Sequence, residues 1–307
     1  MNSSNKRSII LILSLTGGLL GAVLRLMSVL FAYDKEISYY SSGAILPIIS
    51  NAFFALAAIG FILLPFLILC KDESVCEPCR TVRYTAVLPA LALVCQIYFA
   101  ATPIPEAIKI MNMYASSEQA VAAALEVFTL TLALFATVIS AVFFVSLAIS
   151  RKTGNGTVLC GVGFILWIAL AWMESYTDFL VPMNSPDKLF LHFGYVGAAL
   201  LTVGELRAIC GTAKEKSYYC YLSLSILTLS SATLPAIIGK LCGAYADNSV
   251  KMPELVLLGV LIYAVARAVF LLKEQDVVPT PDADEENTSD ACAELTEQVH
   301  TDTADPQ

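Results

Sequence analysis

Three ionisable side chains stand where their neighbours are almost wholly apolar: Arg25 in LLGAVLRLMSVLFAYD, Glu126 in AVAAALEVFTLTLALF and Glu174 in WIALAWMESYTDFL. A guanidinium and two carboxylates are groups that form ion pairs, carry protons or grip a charged solute. Inside a membrane each costs about 2.5 to 3.5 kcal/mol at a helix centre, so they pair or stay hydrated. On helical spacing Arg25 shares a face with Gly18, Gly21, Ala22, Ser28 and Ala32, small residues that admit close helix packing. Glu126 falls with Ala122, Thr129, Ala133 and Thr137; Glu174 falls with Ala171, Trp167 and Gly163; Asn51 falls with Pro47, Ala55 and Ala58. All four are expected to face the interior of a helix bundle.

Gln96 and His192 lie at a similar depth. The six residues sit roughly 6 to 11 Å below the outer ends of their helices, given the helical rise per residue. They make one expected polar layer in the outer leaflet, a chamber for a small polar or charged solute. Its expected ion pair is Arg25 with Glu126 or Glu174. Two acids for one guanidinium leave a carboxylate that can hold a proton, as in proton-coupled carriers. An ion pair that only fixes helix register would use the same residues. Glu205 and Arg267 form a second set towards the cytoplasm, either an inner gate or, for Arg267, a snorkelling side chain.

Other chemistry finds little support. Cys76 and Cys79, in CEPC, have the spacing of a redox pair or half a zinc site, yet no second pair follows and neither histidine, His192 or His300, is near. The chain has no HExxH, no GxSxG and no phosphate-binding glycine loop, so an enzyme is not indicated and no cofactor is implied. Most of the nine cysteines fall at the cytoplasmic ends of helices, where thiols stay reduced.

The elements that must position these residues follow from composition. Hydrophobic residues make up 57% of the 307 and charged ones 14%, against about a quarter charged in soluble domains. Crossing the hydrocarbon core takes about 20 apolar helical residues, and eight stretches qualify: about 8 to 32, 44 to 70, 83 to 101, 120 to 149, 157 to 179, 189 to 210, 218 to 243 and 253 to 272. The expected fold is all-α, a polytopic membrane bundle over residues 1–273, built as hairpins in series. Ten Lys and Arg lie in loops on the N-terminal side and five on the other, which puts both termini in the cytoplasm of a cell-membrane protein.

Several helices end alike, at Tyr33-Asp34, at Tyr176 with Asp178 and at Tyr245 with Asp247, as a tyrosine belt at the headgroups would. The longest outer loop is expected to carry a short helix from Pro105, an interfacial connector or a lid. Hydroxyls in YLSLSILTLSSATLP are spread around their helix and read as packing groups. Sequons at Asn2, Asn155 and Asn287 fall on the expected cytoplasmic side and should carry no glycan.

The net charge of -8 is set by residues 274–307, whose 11 acids leave the remaining 18 basic and 15 acidic residues at +3. Too little apolar area exists there to offset the entropy of ordering, so this tail is expected to be disordered, either a solubilising end or a docking segment for a basic cytoplasmic partner. No basic patch exists to neutralise phosphates, which argues against nucleic acid. Two functions therefore compete: binding or translocation of a small solute, and a non-transporting scaffold or sensor that docks a cytoplasmic protein.

Overall fold

The structure is a computed structural model that describes residues 3–69, 74–75, 78, 80–114, 120–149, 154–177 and 185–276. Eight helices or joined helices are long and apolar enough to cross a membrane. They are α1 (Ser3–Ala32), α2 (Ile45–Ile68), α3 (Arg80–Thr85) joined to α4 (Val87–Ala101), α6 (Ala120–Ile149), α7 (Asn155–Thr177), α8 (Pro186–Ile209), α9 (Glu215–Leu241) and α10 (Met252–Asp276). Between α4 and α6 the short α5 (Ile104–Tyr114) packs on α6; a short helix was expected in this loop. Cys76, Cys79 and most of the acidic tail lie outside the described residues. We call the face where α1 begins the near face and the opposite one the far face.

The third crossing breaks at Ala86 because of Pro89. A proline ring clashes with the carbonyl four residues earlier, here that of Thr85, the last residue of α3. Pro89 then serves as a packing surface: a Cβ on Gly259 of α10 would stand 2.6 Å from its backbone nitrogen, so only glycine allows the approach.

Helix α9 is the centre of the bundle, with 72% of its apolar window buried, and it packs on α1, α2 and α8. Its hydroxyls are spread around the helix because it has neighbours on several sides. Ser14 donates to Ser223 at 2.6 Å, Ser230 to the Gly18 carbonyl at 2.8 Å and Ser225 to the Gly197 carbonyl at 2.8 Å. The small residues of α1 make this contact possible. A Cβ at Gly18 would come within 2.8 Å of Ile226, and one at Gly21 within 2.9 Å of the Ser231 hydroxyl. Arg25 shares that face, which is why it is carried inwards.

Beyond α1 the chain makes a two-stranded hairpin, β1 (Tyr33–Asp34) antiparallel to β2 (Tyr39–Tyr40), closed by Ser38 at a φ of 53°. This hairpin folds Tyr40 back over the far end of α1. On that face α8 starts with Ser185 as N-cap, its hydroxyl accepting from the Lys188 amide at 3.4 Å, and Pro186 in the first turn.

Candidate far-face binding site

Arg25 is 2% exposed, and the groups that receive it come from the far ends of other elements. Its Nη1 donates to the Tyr40 hydroxyl at 2.9 Å; its Nη2 donates to the Pro186 carbonyl and to Asp187 Oδ1, both at 3.1 Å. The guanidinium carbon lies 3.7 Å from the centroid of the Phe190 ring, a cation–π contact. Asp187 stands in the first turn of α8, where the helix dipole favours an acid, and keeps 26% of its side chain exposed. Among the described residues Arg25 Nε has no acceptor.

Two tyrosines complete this wall. Tyr33 and Tyr245 meet edge to face with centroids 5.1 Å apart. Burial, and then the nearby Asp187 carboxylate, push both phenols well above their ordinary pKa. Tyr245 is 5% exposed, and its hydroxyl is turned towards the Asp187 carboxylate. These tyrosines were expected at a lipid belt; instead they turn inwards, because the hairpin and the α9–α10 loop fold over the end of the bundle.

Arg25, Asp187, Tyr33 and Tyr245 line a cavity of about 280 Å³. Ala232 and Ala236, one turn apart on α9, form part of its apolar wall, and Lys188 adds a buried cation. Across the cavity Lys240 pairs with Glu254 at 2.5 Å, and Glu254 also accepts from the Lys251 amide at 3.2 Å. Asp247 at the rim is exposed, and its hydrogen bonds from the Ser249 hydroxyl and amide hold its carboxyl below the usual range.

Towards the near face lies a second buried cluster. Arg267 is 1% exposed and Glu205 2%. Tyr218 donates to Glu205 Oε1 at 2.5 Å while accepting from Arg267 Nε at 2.8 Å, and Arg267 Nε stands 3.4 Å from Glu205 Oε1. Arg267 is thus a paired interior residue, with no need to snorkel. Packing around it is tight: Phe143, Phe144, Leu147 and Tyr263 help enclose a void of only about 10 Å³.

The other expected members of the outer polar layer do not gather around Arg25. Glu126, Glu174 and Asn51 are exposed side chains, and Arg25 pairs with Asp187 in place of either glutamate. Small neighbours on a face show that a helix can be approached there, not that it is. Helix α2, which carries Asn51, has only 11% of its window buried. Gln96 is half-buried, its Oε1 without a partner among the described residues. His192 is also half-buried and lies 3.2 Å from the Ser175 hydroxyl, one step behind the cavity wall that Ser175 helps to line. Cys76 and Cys79 lie outside the described residues. No cluster of three or more metal-ligating side chains occurs among those described.

Sequence reasoning missed Asp187, Tyr40, Lys240 and Glu254. For Asp187 a signal was present in SPDK, residues 185 to 188: an N-cap serine, a first-turn proline and an acid together mark a helix start. Starting the helix at 189 left that acid in a loop. Comparisons with protein-family models, with curated proteins and with solved structures found no match for this chain.

Proposed function

We propose that this multi-pass membrane protein binds a small polar or charged solute in the far-face cavity. The observation that carries the reading is the cavity itself: about 280 Å³ of space bordered by a buried guanidinium whose Nε has no acceptor among the described residues, and by a buried phenol turned towards Asp187. Buried polar groups are ordinarily satisfied, and leaving one unpaired costs about 1 to 3 kcal/mol. Since water takes about 30 Å³ per molecule in the liquid, the space suits a solute of roughly ten non-hydrogen atoms.

The loop-charge asymmetry supports placing the cavity on the outer side of the cell membrane. Carriage is the extension of this reading, and it requires the glycine–serine contact of α1 with α9 and the Glu205–Arg267–Tyr218 cluster to part. Thermal unfolding of purified protein with a panel of amino acids, sugars, organic acids and amines tests the binding step. At a hundredfold excess over Kd a true ligand should raise Tm by about 5 °C, and Ala236→Phe, which fills the cavity, should abolish the shift. A panel in which nothing stabilises the wild type, or in which Ala236→Phe responds equally, overturns the reading.

A further inference from the structure

We infer that the protein associates with a second copy of itself through α2, with Asn51 of each chain hydrogen-bonded to its symmetry mate. The inference is independent of the solute reading and uses a different part of the molecule. It starts from an amide side chain left in hydrocarbon.

Helix α2 starts at the far face with Ile45, and Asn51 stands about 9 Å further along its axis. The 24 residues of α2 make a helix about 36 Å long, against a hydrocarbon core of about 30 Å, so Asn51 lies inside that core. Its side chain is exposed on the outside of the bundle and has no hydrogen-bond partner among the described residues. One methylene is too short to carry the amide to the headgroups, as the long stems of Lys and Arg do for their charges. Lipid tails offer neither donor nor acceptor, so the amide stays unpaired at a cost that a neighbouring helix removes.

The surroundings of Asn51 fit a helix. Ile48, Asn51, Ala55, Ala58 and Ile62 recur at alternating spacings of three and four residues, the seam along which two helices pack in a left-handed crossing. Ala58 is half-buried and the other four are exposed. Within the bundle α2 uses another face: it buries Pro47, Ser50, Phe61 and Pro65 and sets Phe54 against Phe190 and Phe193 of α8. The alanines of the seam admit close approach, and a single Asn in an apolar seam fixes its register. A second copy is the occupant because the side chain complements itself: an amide holds both donor and acceptor, so two Asn51 side chains related by a twofold axis satisfy each other. Copies inserted in one orientation place that axis along the membrane normal and make the two α2 helices parallel.

The test uses the full-length chain in membranes of the cells that express it, with the native cysteines replaced by serine. Ala55→Cys and Leu56→Cys are compared, since both positions are exposed at one depth and stand about 100° apart around the helix. Oxidation with copper phenanthroline should convert Ala55→Cys to a disulfide-linked dimer of twice the chain mass and leave Leu56→Cys monomeric. In a second arm, energy transfer between labelled copies of the purified protein is followed as lipid is added. Asn51→Leu should weaken association about tenfold, the worth of an interhelical hydrogen bond in a membrane, and Asn51→Gln should recover part of that loss. Equal cross-linking at the two positions, a monomer at every dilution, or an association that Asn51→Leu leaves unchanged would overturn the inference. Cross-linking of Ala55→Cys to a different protein alone would overturn it too, because the seam would then belong to a heterologous partner. None of these results bears on solute binding, which the thermal panel tests separately.

Discussion

The molecule contains one set of side chains twice, in two packing environments. At the far face a buried arginine, Arg25, meets Asp187 with Tyr33, Tyr40 and Tyr245 around it; towards the near face Arg267 meets Glu205 with Tyr218 and Tyr263. The first surrounds about 280 Å³ of space and the second about 10 Å³. Chemistry does not make the difference. Alanines 232 and 236 stand at the first site, and Phe143, Phe144 and Leu147 at the second. A buried ion pair in a filled setting ties helices α8, α9 and α10 together, whereas the far-face groups border a hollow, which is why the proposed solute site is placed there.

Breaking each pair in turn is the sharpest way to challenge that comparison. Arg267→Met strands the Glu205 carboxylate in the interior and should cost about 3 to 5 kcal/mol, read as a large drop in Tm or loss of folded protein. Adding Glu205→Gln to it should recover much of that loss. Leu147→Ala, next to the filled cluster, should cost about 2 to 5 kcal/mol through the cavity it opens.

At the far face the same operations should be milder. Arg25→Met should cost only about 1 to 2 kcal/mol, because Asp187 keeps 26% of its side chain exposed and can be hydrated. A double-mutant cycle with Asp187→Asn should show non-additivity, as expected of groups in contact. Ala236→Phe adds volume where there is room, so its stability should stay within about 1 kcal/mol of wild type. A loss as large as that of Leu147→Ala would mean that the far site is packed after all.

The smallest effect concerns alkaline pH. Tyr33 and Tyr245 have phenol pKa values raised by burial and by Asp187, so the folded state keeps them protonated when the unfolded chain begins to ionise. Their stabilising preference for the neutral form is complete below pH about 10 and is lost as pH rises past that value towards the folded pKa. Tm should therefore fall between about pH 9 and 11, and Tyr245→Phe should make that fall shallower.

Much of the fold was legible because hydropathy over membrane-length windows is a strong, local signal. The start of α6 at Ala120 was expected at 120, and the small-residue face of Arg25 correctly foretold its burial. The site was less legible because it is built from helix ends and loops. Glycines 18 and 21 say that a neighbour can approach α1, but which helix supplies the counter-charge depends on the order of packing, which a single sequence does not state. Glu126 and Asn51 illustrate the point: each has small neighbours on its own face, and each is exposed. The Tyr33 hairpin escaped notice because two paired residues per strand leave too short a pattern to detect.

The most direct test of the central claim, that the far site is hollow and solute-accessible while the near cluster is filled, is thiol labelling. With the native cysteines replaced by serine, Ala236→Cys and Leu147→Cys are each exposed in the folded state to a sulfonate-bearing methanethiosulfonate. The structure predicts that Ala236→Cys is modified and that Leu147→Cys is inert until the protein is unfolded. An Ala236→Cys thiol as inert as that of Leu147→Cys would contradict it.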